Sequence, residues 1–444
     1  MKSLKILFLI FSSFCFSQDG FQLIQTKKTV IPFQLINNLI FVPVNINGVN
    51  LTFLLDSGVN ETILFSLEEE EISFNDVEKI KFAGLGESKD IEGLRSDRNT
   101  VSIGKKFRDD AHTIFIILDE SINFSSHVGI PVNGIIGFHF FKNHPVQIDY
   151  ARKKITIFES DADWKNKKNR FTEFLFTLEG NKPYLQTEVE MTTTKTNSKM
   201  LIDLGNSDAL WLFPKLIPDF EYNRPNIEDF LGRGFNGDIF GKRSRIHRFY
   251  LGEFVFEKPL TAMPDEYSIQ NLNLVPDRKG SVGSEILRRF TLLFDYPNEK
   301  LYLKKNTHFK DPFLFNNSGL DVQQDGLTWE KDVVEIKPTK RQNAYADGDV
   351  VYQADKFKYN FILKPKFSVA ACRKNSPCDV AGIKKNDRLI KINNQSVSNM
   401  KMQKINDYFK DEDGKKLKVS VERDDQILNF TLILVDPIRY QDEN

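Results

Sequence analysis

The sequence has few of the residues and segments on which several protein classes depend. Its 444 residues include three cysteines and six histidines, and the histidines are scattered without the spacing of metal ligands. The apolar run near the N-terminus is too short to span a bilayer, and no later segment reaches the roughly 18–20 apolar residues that a membrane-spanning helix needs. Lys and Arg together number 61, as do Asp and Glu, so no net charge attracts nucleic acid or an anionic membrane. We therefore expect no metal, no cofactor and no nucleic-acid partner.

The first 17 residues have the pattern of a secretory signal peptide. Lys2 and Lys5 precede a short apolar run, and Ser17 offers a small residue before a cleavage site. We expect a mature protein that is exported, either to a periplasm or out of the cell. After cleavage only Cys372 and Cys378 remain, and they either form a disulfide, which export permits, or stay as free thiols.

A pattern of glycines and charged residues occurs twice within the first 306 residues. The stretch GLGESKDIEGLRSDRNTVSIG begins at Gly84, and GRGFNGDIFGKRSRIHRFYLG begins at Gly232. Eight residues recur between them at a constant offset of 148, without a gap. A second pair of stretches, beginning at Gly134 and Gly280, repeats at an offset of 146. Two blocks at nearly one offset indicate that the two halves share one architecture.

Each half has the pattern of β structure, with few long helices. The stretch FVPVNINGVNLTFLLD alternates in hydrophobicity around an Asn47-Gly48 turn, and short apolar runs between turn residues follow in both halves. We expect two all-β units, residues 18–160 and 161–306. Two arginines, Arg95 and Arg243, recur with the repeat, and either could bind a substrate carboxylate. We favour a salt bridge that supports the fold.

The repeat gives the acid of LTFLLDSGVN, Asp56, a counterpart in KMLIDLGNSDALWL, where Asp203 follows a similar apolar run. A pseudo-two-fold axis between two joined units would bring these acids together. Two carboxylates in one small space cannot both ionise cheaply, so they share a proton. One can then take a proton from water while the other polarises a peptide carbonyl. The candidate catalytic residues are therefore Asp56 and Asp203; the alternative is two acids that only satisfy loop amides.

LLDSG and LIDLG, each followed about 80 residues later by GIIG or GSVG, resemble the motifs of aspartic proteases over residues 30–306. The resemblance implies catalysis by Asp56 and Asp203 without a cofactor. A glycine-rich flap in each half is similar to a retroviral protease dimer fused into one chain. The resemblance implies substrate binding by residues beside the acids and in the two flaps: Ser57, Gly58, Gly205, Gly84, Gly86, Gly232 and Gly234.

Leu204 departs from the aspartic protease pattern. The family has Thr or Ser at this position, and its hydroxyl binds across the two catalytic loops. Ser57 can make this contact from one side only. Two hypotheses follow: an aspartic endopeptidase that cleaves peptides or unfolded protein, and a catalytically impaired protein that binds peptides in the same cleft.

The stretch NSPCDVAGIKKNDRLIKINNQSV, residues 375–397, resembles the PDZ domains of bacterial proteases. The resemblance covers residues 350–436, with a helix from about Met400 to Lys410 and a further strand in GLDVQQDGLTW. PDZ domains bind a peptide as an added strand beside this helix, so the resemblance implies a peptide ligand. The alternative is a domain that packs on the β lobes and binds nothing. The expected groove residues are Tyr359, Asn360, Phe361, Ile362, Met402, Ile405 and Phe409.

The sequence thus predicts a mainly β protein with two aspartic-protease-type β-barrel lobes and a small α/β PDZ-like domain. We expect the lobes at 18–160 and 161–306, a linker at 307–314 and the PDZ-like domain at 315–440. We also expect a monomer with no transmembrane segment once the signal peptide is removed.

Overall fold

A computed structural model describes residues 20–67, 70–82, 91–117, 123–217, 224–234, 237–269, 274–335 and 357–440. The predicted signal peptide and the predicted flap glycines Gly84 and Gly86 lie outside these residues. Among the residues that the structure describes, no helix is long and apolar enough to cross a membrane.

Lobe 1, up to residue 160, is built almost entirely of strands. The predicted turn at Asn47-Gly48 is confirmed, since both residues have positive φ and join two paired strands. The strands are β1 Gln22–Leu23, β2 Lys28–Pro32, β3 Gln34–Ile36, β4 Leu39–Ile46, β5 Val49–Leu55, β6 Ile63–Leu64, β7 Val77–Phe82, β8 Ile91–Ile103, β9 Phe107–Ile117, β10 Gly134–Ile136, β11 Val146–Asp149 and β12 Lys154–Phe158. Two short helices are α1 Ser125–Val128 and α2 Phe138–Phe141.

Lobe 2, residues 161–306, has the same kind of structure. Its strands are β13 Thr172–Leu175, β14 Thr177–Glu179, β15 Lys182–Glu190, β16 Lys195–Ile202, β17 Leu210–Leu212, β18 Ile227–Gly234, β19 Gly237–Arg245, β20 Arg248–Leu251, β21 Phe254–Glu257, β22 Leu260–Pro264, β23 Arg278–Val282, β24 Phe290–Asp295 and β25 Lys300–Lys305. Its α-helices are α3 Glu266–Ile269 and α4 Ser284–Leu287.

The two lobes share the same strand pairing at their centres. In lobe 1, β10 runs parallel to β5 and antiparallel to β6. In lobe 2, β23 runs parallel to β16 and antiparallel to β17. The registers also correspond, because Gly134 pairs with Phe53 and Gly280 pairs with Met200, each three residues before an acid. Each acid is therefore held at the same point of the same local structure.

A sheet with strands from both lobes joins them in the order β13-β25-β24-β11-β12-β2. The contact between the lobes is the antiparallel pair β11 and β24, in which Ile148 lies opposite Leu292. Both side chains are fully buried in an apolar core that extends through the two lobes. The predicted linker continues this packing, because the rings of Phe309 and Phe313 contact lobe 2.

The C-terminal domain has its own sheet and its own core. Its strands are β26 Leu320–Glu335, β27 Phe357–Cys372, β28 Arg388–Ile392, β29 Gln395–Ser396, β30 Lys416–Arg423 and β31 Gln426–Ile433, and its helices are α5 Pro377–Ala381 and α6 Met402–Phe409. The sheet order is β26-β27-β28-β30-β31, with β29 paired to β28. Cys372 and Cys378 form a disulfide between the end of β27 and α5, which decides between the two alternatives that the sequence left open.

This domain contacts both lobes. The turn between β3 and β4 meets α6, where the Asn37 amide donates to Oε1 of Gln403 at 2.6 Å and Nδ2 of Asn406 donates to Asn37 Oδ1 at 3.1 Å. In lobe 2, Nη2 of Arg245 lies 3.2 Å from Oδ2 of Asp436. The C-terminal domain is thus docked on the lobes rather than attached by a free linker.

Candidate active site

Asp56 and Asp203 each follow the last residue of a central strand, β5 or β16. The Asp56 amide donates to the Ile136 carbonyl at 2.9 Å, and the Asp203 amide donates to the Val282 carbonyl at 3.0 Å. Each acceptor ends the strand that runs parallel to the acid-bearing strand. The two acids are therefore positioned by equivalent backbone hydrogen bonds in the two lobes.

The two carboxylates meet between the lobes, beside Gly58 and Gly205. A Cβ added to Gly58 would lie 3.1 Å from Oδ1 of Asp56 and 3.2 Å from Oδ1 of Asp203. A Cβ on Gly205 would lie 2.2 Å from Oδ2 of Asp56. Glycine is thus required at Gly205, because only a bare Cα lets the lobe 2 backbone approach the lobe 1 acid. The structure brings four of the predicted site residues together here.

The shared site changes the ionisation of both acids. Burial, and after it the charge of Asp203, raise the pKa of Asp56 to about 7, although the Gly58 amide and the positive charge of Lys182 oppose the shift. Burial also raises the pKa of Asp203, against the positive charges of Arg278 and Lys182. Both side chains remain partly accessible to solvent. The pair can therefore hold one proton in mildly acidic solution and still meet a water molecule.

Ser57 connects the two acid-bearing loops across the lobe boundary. Its hydroxyl donates to the Ile202 carbonyl at 2.7 Å and accepts from the Leu204 amide at 3.0 Å. Ser57 is buried, so it is a bridging residue and not an open substrate contact. The Leu204 side chain lies in the apolar core and makes no reciprocal bridge. The resemblance to aspartic proteases implies one bridging hydroxyl on each loop. Here the hydroxyl of Ser57 alone forms the bridge.

Of the predicted flap glycines, Gly232 and Gly234 lie within the described residues. Both stand in β18, which forms a hairpin with β19, and Gly234 pairs with Gly237. A Cβ added to Gly232 would meet no atom within 4 Å. The hairpin thus agrees with a flap in shape, and its contact with substrate stays a prediction.

Arg243 has a structural partner on each side, as we favoured from the sequence. Its Nη1 lies 2.6 Å from Oδ1 of Asp208, and its Nε lies 2.6 Å from Oδ2 of Asp229. Arg95, its counterpart in lobe 1, pairs with Asp97 at 3.2 Å. The expectation of a salt bridge that supports the fold is confirmed for Arg243, whereas the pair of Arg95 lies at the surface with a residue two positions away.

Two cations near the acids, Lys182 and Arg278, were missed from the sequence. The charge of Lys182 acts on both carboxylates, and that of Arg278 acts on Asp203. Neither cation recurs in lobe 1, so the repeat gave no signal for them. The signal that could have found them is the difference between the lobes: charged residues at positions where lobe 1 is apolar.

The C-terminal domain can be assigned from its sequence and fold. Residues 362–434 match the family model of the PDZ domain. Among solved structures, a crystal structure of an aspartic proteinase from Irpex lacteus is similar at a TM-score of 0.45 and 12% identity, covering 64% of this chain and 99% of that one. No curated protein matches the sequence significantly. The chain is mainly β and carries a PDZ domain.

Two of the three helix residues predicted to line the PDZ groove lie in the core of the domain instead. Met402, Ile405 and Phe409 are buried in the core of the PDZ domain, together with Leu320 and Val369. Their spacing marks the face of α6 that packs on the sheet, so the pattern that predicted the helix places Ile405 and Phe409 in the core. The assignment of Ile405 and Phe409 to a peptide groove is therefore corrected, whereas that of Met402, which also contacts lobe 1, stays a prediction.

The predicted groove strand is also displaced. Tyr359, Asn360, Phe361 and Ile362 lie in the outer part of β27, where their partners are residues 330–333 of β26. The side chains of Phe361 and Ile362 are exposed. It is β26, the edge strand, that packs beside α6. The strand beside α6 is thus β26, whose first part is the further strand predicted in GLDVQQDGLTW, and not the stretch around Tyr359.

Lobe 1 covers part of this strand-helix surface. Helix α1 packs against both β26 and α6. A Cβ on Gly129, at the end of α1, would lie 2.8 Å from Cβ of Met402 and 3.5 Å from Oε1 of Gln324. The PDZ domain therefore contacts its own chain at the place where a peptide ligand is expected.

Proposed function

We propose that this chain is an aspartic-type endopeptidase that hydrolyses peptide bonds with water activated by Asp56 and Asp203. The observation that supports the proposal best is the convergence of both carboxylates on Gly58 and Gly205, in equivalent backbone settings. The raised pKa of Asp56, to about 7, adds to it, because a general acid and base of this kind must hold a proton near the working pH.

The chemistry follows from one proton shared by two acids. The ionised carboxylate takes a proton from water, and the water oxygen forms a bond to the peptide carbonyl carbon. The protonated carboxyl donates its proton to the carbonyl oxygen. When the tetrahedral intermediate collapses, the C–N bond breaks, the nitrogen leaves as an amine after taking a proton from the pair, and one hydroxyl of the intermediate returns a proton to the pair as the carboxylic acid forms. The amides of Gly58 and Gly205 keep the carboxylates in place through hydrogen bonds of 2.7 and 3.1 Å.

We infer that the mature protein is exported to a periplasm or secreted. The N-terminal pattern of a signal peptide supports this location. The disulfide between Cys372 and Cys378 supports it independently, because disulfides persist in oxidising compartments. The PDZ domain would bind substrate or partner peptides at β26 and α6, once lobe 1 leaves that surface.

Incubation of the mature protein with a diverse peptide mixture, from pH 4 to 8, tests the proposed activity. Mass spectrometry identifies the cleaved bonds, and Asp56→Asn and Asp203→Asn serve as matched variants that keep the shape of the site. Cleavage that both variants lose supports the endopeptidase. If the wild-type protein binds peptides but cleaves none at any pH, the peptide-binding hypothesis with an impaired site replaces it.

A further inference from the structure

The lobe 1 side and the lobe 2 side of the site differ in charge at two structurally equivalent positions. Leu39 begins β4 directly after a two-residue turn, and Lys182 begins β15 in the same way. Both strands then pair with an acid-bearing strand, so that Phe41 lies opposite Leu54 and Tyr184 lies opposite Leu201, each two residues before its acid. Lys182 therefore stands where lobe 1 has a leucine.

Arg278 occupies the second of these positions. It lies two residues before Gly280, which pairs with Met200. In lobe 1 the residue two before Gly134 is Val132, and Gly134 pairs with Phe53 in the same register. Arg278 thus replaces a valine, and both changes add a positive charge to lobe 2.

The lobe 1 side of the site is apolar. Val132 is fully buried there in a cluster with Phe41 and Leu54, and Leu39 packs against this cluster. The corresponding part of lobe 2 holds the two cations and the buried ring of Tyr184. A peptide that lies across both acids therefore has Leu39, the partly accessible residue of this group, on one side and the cation of Lys182 on the other.

Arg278 is held in place by the protein, whereas Lys182 is not. Nη2 of Arg278 donates to Oγ of Ser281 at 2.8 Å, Nε donates to the Gly280 carbonyl at 3.2 Å, and the guanidinium carbon lies 5.9 Å from the centroid of the Tyr184 ring. Within the part of the chain that the structure describes, the ammonium of Lys182 has no hydrogen bond or ion pair. Its charge interacts with those of Asp56 and Asp203, so its half-buried ammonium, which has donors left for a hydrogen bond, lies where an anionic group of a substrate beside the acids can meet it.

We propose that Lys182, supported by Arg278, forms a subsite for an acidic side chain beside the scissile bond. The preferred substrate then carries Asp or Glu on the lobe 2 side of the cleaved bond and an apolar residue on the lobe 1 side. This inference rests on the proposed peptidase function and names its substrate class. Lys182 is a specificity-determining residue in this account, and Arg278 positions the charge of the subsite.

Lys182 has a second effect that the test must separate from substrate binding. Its charge lowers the pKa of both catalytic acids, so its removal raises those pKa values for every substrate. Recognition of an acidic side chain differs between substrates, whereas the change in the pKa of the two acids is the same for every substrate. Matched peptides that differ only by Glu and Gln distinguish the two, because both effects change rates but only recognition changes their ratio.

The experiment compares kcat/KM for Glu and Gln versions of a peptide that the wild-type protein cleaves, with each position flanking the bond varied in turn. At pH 6 we expect one position at which Glu exceeds Gln by about 10-fold or more, the size of a charge-assisted hydrogen bond. Lys182→Met brings that ratio to about 1, and Lys182→Glu favours a Lys peptide. Lys279→Met, which removes a neighbouring cation bound to the Asn197 carbonyl, keeps the wild-type ratio.

The possible results distinguish failure of the subsite proposal from failure of the peptidase proposal. If Asp56→Asn abolishes cleavage but Glu and Gln peptides are cleaved equally at every position, the subsite is overturned and the peptidase stands. A Glu preference that survives Lys182→Met also overturns the subsite. The same holds if Lys182→Met shifts the pH profile equally for the Glu and Gln peptides and leaves the ratio of their kcat/KM values unchanged. Cleavage that persists in Asp56→Asn contradicts the proposed function itself.

Discussion

Among single residues, Ser57 holds the two acid-bearing loops together from one side only. Ser57→Ala leaves the Leu204 amide and the Ile202 carbonyl without this buried partner. We expect it to lower the free energy of unfolding by about 1–3 kcal/mol and to reduce kcat, because the acids lose their fixed separation. Urea unfolding and steady-state kinetics measure both effects. Ser57→Thr keeps the hydroxyl and is the matched variant; equal behaviour of the Ala and Thr variants would exclude the bridge.

The raised pKa of Asp56 predicts a pH-dependent stability. The folded protein holds the proton of Asp56 up to about pH 7, whereas an unfolded Asp releases it near its usual pKa of 3.8. This residue therefore contributes stability below about pH 4, and that contribution is lost as the pH rises to 7. We expect the stability of the wild type relative to Asp56→Asn to fall by on the order of 3 kcal/mol between pH 4 and 8. Urea unfolding across that range would show a constant difference if the shift were absent.

At the scale of elements, the glycines that directly follow β10 and β23, Gly137 and Gly283, determine how closely the loops beside the acids pack. A Cβ on Gly137 would lie 1.9 Å from the Val59 carbonyl oxygen, and one on Gly283 would lie 2.2 Å from that of Asp208. Backbone atoms cannot move aside as a flexible side chain can. These two contacts close the loops that carry the acids, so the local strand geometry of the site depends on them.

Gly137→Ala is therefore expected to be severely destabilising, by about 3 kcal/mol or more, or to prevent folding. Gly180→Ala is the matched control, because Gly180 has φ of 54° in an open turn with no atom within 4 Å of an added Cβ. That change costs only about 1 kcal/mol of backbone strain. Thermal unfolding measures both, and equal melting temperatures would contradict the packing described for Gly137.

Across the whole molecule, the PDZ domain is held on lobe 1 by the turn between β3 and β4, which hydrogen-bonds α6, and by α1, which packs against β26 and α6. The variant with both Gln403→Ala and Asn406→Ala loses two hydrogen bonds to Asn37. We expect faster amide hydrogen exchange in Ser125–Val128 and in Met402–Phe409, since each segment covers the other. Gln395→Ala, whose partner Tyr408 lies within the PDZ domain, is the control. Unchanged exchange in both segments of the double variant would show that the docking does not depend on these contacts.

The sequence predicted the part of this molecule that repeats. The strands before Asp56 and Asp203, the Asn47-Gly48 turn and the meeting of the acids follow from a pattern present twice, and two copies of a fold place equivalent residues about one axis. Leu204 was expected to lack a bridging hydroxyl, and it lies in the core. Local patterns and the internal repeat thus predicted most of the fold and the positions of the two acids.

What the sequence did not predict depends on differences between the lobes and on contacts between domains. Lys182 belongs to no motif, and its position becomes meaningful only when it is superimposed on Leu39. Ile405 and Phe409 were assigned to a groove because helical spacing identifies a buried face without identifying what covers it. The contact of Gly129 with Met402 joins residues far apart in the chain, and no local pattern encodes it.

The central claim is that Asp56 and Asp203 act as one acid/base pair, and the pH dependence of kcat/KM for a cleaved peptide tests it most directly. We predict a bell-shaped profile whose upper limb falls near pH 7, where the pair loses its shared proton. Asp56→Asn and Asp203→Asn should each reduce kcat/KM by at least about 100-fold at the optimum, because each removes the general acid/base. A profile that keeps rising above pH 8, or wild-type cleavage by either variant, would contradict the account.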